Sequence, residues 1–150
     1  MLDGIIALLS FKATDSIPDA YVPLTDLIHA VGQLIAGRAY ENEFPRGFVL
    51  PAVVVHQYGG NQDYDFTGPI DITEDQVQVD CYAQDSSGCR ALRLSVKDLL
   101  EAFTGTLPDG TVVQAMYKER DLAMPFLPNA NTKGIANRWT LGFRVVSARQ

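Results

Sequence analysis

The stretch that most constrains the fold runs from Asp75 to Gly105 and reads as one strand, one turn and one helix. Between Gln76 and Ala83, the residues Val77, Val79, Cys81 and Ala83 point one way, and Gln78, Asp80 and Tyr82 point the other. That period of two marks a half-buried strand. Asp85, Ser86, Ser87 and Gly88 form the turn, whose side chains suit the first free N–H groups of a helix. A helix is expected from about Cys89 to Phe103. Leu92, Val96, Leu99, Leu100 and Phe103 fall on one stripe, with Arg90, Arg93, Lys97, Asp98 and Glu101 on the other face. Gly105 is expected to end it in a left-handed conformation. At about 1.5–3 kcal/mol per large buried side chain, the stripe contributes roughly 7–15 kcal/mol as an upper bound. The helix is therefore expected to lie on the sheet.

One domain spanning residues 1–150 is expected from the length, and an apolar fraction of 47% suffices for a core. The formal net charge of −6 argues against a nucleic-acid-binding surface, which needs a concentrated basic footprint. It leaves room for a protein that nucleic acid merely passes. Met1, Leu2 and Asp3 do not open a secretory signal, and the apolar run from Ile5 to Leu9 is short. No run approaches a membrane span, so no membrane partner is expected. Two cysteines make no disulfide framework and read as reduced thiols of an intracellular protein.

In chain order, Leu2, Ile5, Ile6, Leu8 and Leu9 fit a short helix or an edge strand, and residues 16–20 read as a loop. Pro23 to Ala36 is an expected helix: Leu24, Leu27, Ile28, Val31, Leu34 and Ile35 share a face, and Gly37 suits the end. Gly32 in its middle is unfavourable. Arg38 to Leu50 is a linker with Pro45 and Gly47 as breakers. Pro51 to Tyr58 is a strand in which Val53, Val54 and Val55 suggest a central place. Residues 59–74 read as a long projecting connection to the Gln76–Ala83 strand. Pro108, Asp109 and Gly110 mark a turn. Thr111 to Tyr117 is a third strand, Glu119 to Asn137 a second long irregular stretch, and Trp139, Leu141, Phe143 and Val145 the core face of a fourth strand. The expected class is α+β, in the order α-β-β-α-β-β: a largely antiparallel sheet of about four strands with two main helices on one face and long projecting loops.

No catalytic set stands out. His29 and His56 are the only histidines, and His56 in a valine-rich strand reads as structural. Cys89 near a helix start admits a lowered thiol pKa, yet no partner histidine is placed beside it. Cys81, Cys89 and two scattered histidines lack zinc spacing, and no phosphate loop occurs. Asp63 to Glu74 nearly fits a twelve-residue calcium loop, with carboxylates at positions 1, 3, 9 and 12, but its flanks read as strands. A solvated acidic loop is the alternative. Neither a cofactor nor a resident metal is expected. Tyr64 and Phe66 in one long connection, and Leu122, Met124, Phe126 and Leu127 in the other, are large apolar residues in weakly periodic segments. They either fold back on their own domain or, in the reading favoured here, contact another chain.

A helix ending in Gly37, Arg38, Ala39 and Tyr40 leads through Leu50 and Pro51 into the hydrophobic strand. The strand from Val77 to Ala83, the helix after Asp85 and the close from Arg138 to Phe143 follow in order. This order resembles the tail-completion or tail-terminator proteins of long-tailed bacteriophages, over roughly Leu24 to Val146. Residues 23–146 make the family-like core and residues 1–22 an atypical amino-terminal segment. The resemblance implies a structural, non-enzymatic virion protein of the neck or tail end, assembled in the bacterial cytoplasm. Such proteins form rings, commonly hexamers, that cap the tail tube and dock it to the head connector while DNA passes through. An acidic ring would let phosphates slide without sticking. The partner contacts are then expected at Tyr64, Phe66, Leu122, Met124 and Phe126. Rival readings are a small calcium- or ligand-binding module, or an enzyme using Cys89 or His56.

Overall fold

The structure is a computed structural model, and it describes residues 1–124 and 137–148. In chain order the helices are α1 (Leu2–Leu9), α2 (Thr25–Ile35) and α3 (Ser86–Ala102). The strands are β1 (Ala39–Glu41), β2 (Ala52–Asp65), β3 (Gly68–Ala83), β4 (Gly105–Thr106), β5 (Val112–Met124) and β6 (Asn137–Ala148). The sheet order is β1-β2-β3-β6-β5-β4, with β1 parallel to β2 and the other pairs antiparallel. The α+β class and the helices on one face hold. Four strands become six and two helices become three among the described residues. The extra strands span only three and two residues, too few to show a period.

The core lies between the helices and one sheet face. Val53 and Val55 of β2, Val77, Val79 and Cys81 of β3, and Leu141, Phe143 and Val145 of β6 are buried there. Leu92, Val96, Leu99, Leu100 and Phe103 cover them, as the stripe predicts. Asp85 caps α3 by accepting the Gly88 N–H, so the helix starts at Ser86, earlier than Cys89. Gly105 does not end it. The chain turns extended at Phe103, whose buried ring draws it out of the helix.

The amino-terminal run becomes helix α1, with Ile5, Leu8 and Leu9 buried. Residues 19–24 form a 3-10 turn that contains Pro23, so α2 begins at Thr25, whose hydroxyl donates to the Val22 carbonyl. Ala36, in a left-handed conformation ahead of Gly37, caps its end. Gly32 has a reason to be small: a Cβ there would stand 2.6 Å from the Phe11 carbonyl oxygen and 2.7 Å from the Ala13 nitrogen. The chain leaving α1 crosses α2 at this point.

The first long connection is largely strand, and the second begins as strand, its residues 125–136 lying outside the described residues. Residues 59–65 extend β2 and residues 68–75 extend β3, so the pair is a long hairpin with Phe66 and Thr67 at its tip. Gly59 and Gly60, which open the stretch read as a connection, sit beside a register shift, where a Cβ on Gly60 would meet the Asp75 carboxylate at 2.5 Å. A bulge absorbs the glycines without ending the strand. Pro69 lies where β6 no longer runs beside β3, so its missing N–H costs the ladder nothing on that side. Likewise β5 continues to Met124.

One carboxylate ties α1 to the far turn. Asp109 pairs with the Met1 ammonium at 2.7 Å and accepts the Gly4 N–H at 3.0 Å. Partial burial alone would raise its pKa, but the ammonium and the Thr111 N–H outweigh that and hold it at about 2.

Two outcomes are expected. Gly32→Ala destabilises by about 2–3 kcal/mol, a fall of roughly 5–10 °C in Tm read by calorimetry, because backbone atoms must move. Asp109 has a lowered folded pKa, so its contribution is present above the unfolded pKa near 4 and lost as pH falls towards 2. With the group partly exposed to screening, the contribution is about 1 kcal/mol. In urea titrations Asp109→Asn trails wild type by that amount at pH 6, and the gap closes towards pH 2.

Candidate assembly surface

The helices cover one face of the sheet only. On the other face, the segment after β1 folds over the β2–β3 end. Phe44 stacks on Phe48 at 4.3 Å between centroids and meets Tyr82 edge-on at 4.8 Å. This aromatic strap explains why Ala52 and Val54 are buried on that side of β2 as well. Beyond it no further segment covers the face among the described residues. Tyr58, Ile72, Tyr117 and Leu122 are exposed, and Arg144 lies over the Tyr117 ring at 5.1 Å.

At the centre of this face is a buried carboxylate. Asp80 is 1% exposed and sits between Val54 and Thr140 in the ladder. It accepts from the Thr140 hydroxyl at 2.8 Å, the Arg138 guanidinium at 3.0 Å and the Gln78 amide at 3.0 Å, with His56 Nε2 at 3.3 Å. Burial of such a charge is tolerated only with this many partners. The cluster joins β2, β3 and β6 side to side. It contains a histidine and a carboxylate, yet no hydroxyl or thiol nucleophile is set beside His56 in the contacts described.

A second carboxylate clasps the helix layer to the border strand. Asp121 of β5 accepts from Arg93 of α3, from Lys118 Nζ at 3.0 Å and from the Trp139 indole. The Arg93 guanidinium above all holds its carboxyl well below the usual range. The thiols lie in the opposite regime. Burial, with neighbouring negative charge, pushes both Cys81 and Cys89 up, and both are 2% exposed or less. Cys89 is thus a packed thiol, although it lies in the first turns of α3. His29 reaches only the Asp15 carbonyl, at 3.4 Å.

The calcium spacing is not realised as a coil around a point. Asp63 and Asp65 belong to β2 and Asp71 and Glu74 to β3, with Asp65 opposite Gly68 and Tyr64 opposite Pro69. Extended backbone sends successive side chains to opposite faces.

Both sheet borders are left partly uncovered. β1 pairs with β2 only at Val53–Val55, and β4 pairs with β5 only at Val112 and Val113. From His56 onward on β2, and from Gln114 onward on β5, no strand lies alongside among the described residues. Past Ile72 the hairpin projects beyond β6 as a two-stranded arm. Such borders invite strand addition from another chain.

The family model described as tail completion protein gp17 matches residues 27–122. The chain belongs to that family. The match runs from α2 through the Leu122 position of β5, and so takes in the hairpin arm, α3 and the open border. Among solved structures, a chain of the "Virion of native gene transfer agent (GTA) particle" aligns with a TM-score of 0.60 and 16% identity, covering 99% of this chain and 94% of that one. At that identity the likeness is one of fold, and it includes α1 and β6. No curated protein matches the chain.

Within this tail-completion fold the expected contact residues fall into two groups. Tyr64 lies in β2 and Phe66 at the arm tip, where its ring is fully exposed. Leu122 is exposed on the open sheet face, and Met124 is the last residue of β5; Phe126 lies outside the described residues. Leu122 shares a ladder row with Asp80, which is 13 residues along β3 from Thr67. By strand rise Phe66 and Leu122 are roughly 40 Å apart along the sheet. Sequence reasoning missed Tyr58, Ile72 and Tyr117, because they lie in segments read as loops or at a strand end. It also missed the Asp80 cluster, signalled by an acid inside an apolar strand with Arg138 and Thr140 at alternate positions of another.

The Asp80 cluster is expected to be structural. Asp80→Ala costs about 3 kcal/mol in chemical denaturation, since Arg138 loses its counter-charge, whereas Thr140→Val costs about 1 kcal/mol.

Proposed function

We propose that this chain is a structural virion protein that closes the end of a tail tube as a ring of copies, commonly six, and docks that tube to the head connector. The observation that carries the reading is the match of residues 27–122 to the tail completion protein gp17 model. The geometry supports it physically. A ring needs each subunit to offer two different, mutually fitting surfaces, and a heterologous contact closes into a ring when its rotation does. Here one sheet has two different borders that are open among the described residues.

The arm and the open face are the contact surfaces in this reading. Phe66 at the tip, with Tyr64 near it, meets one neighbour in the particle; Leu122, Met124 and Phe126 meet another. No bond is made or broken. The net charge of −6 per copy makes the assembled ring acidic, and DNA phosphates pass it without being held. The protein acts in the neck region of the particle, as a joint.

The test is assembly on isolated tail tubes, followed by light scattering and electron microscopy. The expected result is a ring at one tube end. A protein that stays monomeric and leaves tube ends bare overturns the reading. Phe66→Ser separates contact from folding. An exposed tip residue changes stability by no more than about 0.5 kcal/mol. Tube or connector attachment is expected to fall at least tenfold, read by pull-down of intact tails.

A further inference from the structure

The charges of this chain are segregated, and the fold turns that segregation into two opposite borders. Between Arg46 and Arg90 there is no lysine or arginine, while the same span carries seven acids. Three of these, Asp63, Asp65 and Asp71, lie in the two strands of the arm beyond Ile72, and Glu74 and Asp75 follow on β3 where it runs beside β6. Nine of the twelve basic residues lie from Arg90 onward. The arm is at the β2 side of the sheet, and the basic residues of β5 and α3 are at the other side.

At the open border of β5 the cations exceed the acids that face them. Arg93 and Lys118 share a single carboxylate, Asp121. Arg120 is exposed, faces Gly142 across the ladder and has no acidic partner among the described residues. Arg90, also exposed, stands one helical turn before Arg93. Lys118 and Arg93 lie on the helix side of β5 and Arg120 on the open side, so the border is flanked by positive charge on both faces. Leu122, exposed in the next outward position, supplies apolar area beside it.

Resting on the ring reading above, we infer that the acidic β2–β3 arm of one copy seats along the cationic β5 border of the next copy. The occupant is a second copy, because the arm and the border are complementary in sign and sit at opposite ends of one sheet. Such a contact repeats head to tail. Register shifts at Gln57/Gly59 and Gln62/Tyr64 on β2, and at Lys118/Arg120 on β5, interrupt any long uniform ladder. Charge, not a continuous run of hydrogen bonds, then sets which border meets which, as rim charges set orientation and encounter rate elsewhere. The same feature keeps like borders apart, arm from arm and β5 from β5.

The test is charge reversal with exchange. Assembly on tail tubes is measured at about 50 mM and about 500 mM salt for four proteins: wild type, Arg90→Glu/Arg120→Glu, Asp65→Lys/Asp71→Lys, and an equimolar mixture of the two variants. Circular dichroism and Tm confirm that each variant is folded. Each variant alone is expected to need about tenfold more protein for half-assembly at low salt, with the difference shrinking at high salt. The border variant presents acid at both surfaces, and the arm variant, with Lys at two of the arm's three acids, presents cation at both, so alone each repels itself. Mixed, they are expected to recover assembly with alternating copies, read by native mass spectrometry. Variants that assemble like wild type, or a mixture no better than its components, overturn this arrangement and leave the ring reading standing. Wild-type protein that forms no ring on tubes overturns the ring reading itself.

Discussion

The rest of the molecule depends on the burial of one face of β3. Val77, Val79 and Cys81 are sealed beneath α3, and the same strand is paired with β2 on one side and, from Ile72 onward, with β6 on the other. A slip of one residue would send these side chains to the open face and Gln78 and Asp80 into the core. The helix follows directly in the chain, joined by the short turn at Asp85, so it packs on the strand it comes from. Register, helix placement and the position of the arm are therefore set together. Among the described residues, β2 and β3 keep pairing past Ile72, the last β3 partner of β6.

Three carboxylates fasten what apolar contact does not reach. Asp109 holds the start of α1, Asp121 holds α3 to β5, and Asp80 holds β2, β3 and β6 together on the face without helices. Each sits where the apolar layer ends. Asp80 is the most buried and has the most donors, in line with the cost of leaving a buried charge short of partners. None of the three is placed against a reactive nucleophile in the contacts described. The site-like appearance of a histidine near a carboxylate thus has a mechanical explanation.

The central unit was legible because its signals were local and dense. A period of two ran into a capped stripe with a period near 3.6, and both survived intact from Val77 to Phe103. The α1 run was ambiguous because eight residues give barely two helical turns, and only its packing against α2 and β1 decides. The arm was misread because Gly59, Gly60 and Pro69 carry a local meaning, turn, that the ladder overrides with a bulge and an unpaired margin. The Asp80 cluster was hidden for a different reason. Its members, His56, Asp80, Arg138 and Thr140, lie up to 84 positions apart and meet only once the strands are in register. Phe66 was legible as an apolar residue out of pattern, but its distance along the sheet from the exposed Leu122 was not.

An uncovered sheet border is a hazard for a protein that must stay soluble until it assembles. This chain meets that hazard at both margins with the devices expected of edge strands: bulges on β2 and β5, and charged residues along β5. Yet among the described residues covering strands as short as β1 and β4 leave most of each border free, which is costly unless the border has a use. Uniform charge of one sign would have protected both margins and prevented any pairing. Opposite charge at the two margins protects each against its own kind and leaves only the unlike encounter favourable. On that argument the asymmetry of charge along the chain and the asymmetry of the two borders are one property, and it suits a subunit whose neighbours are copies of itself.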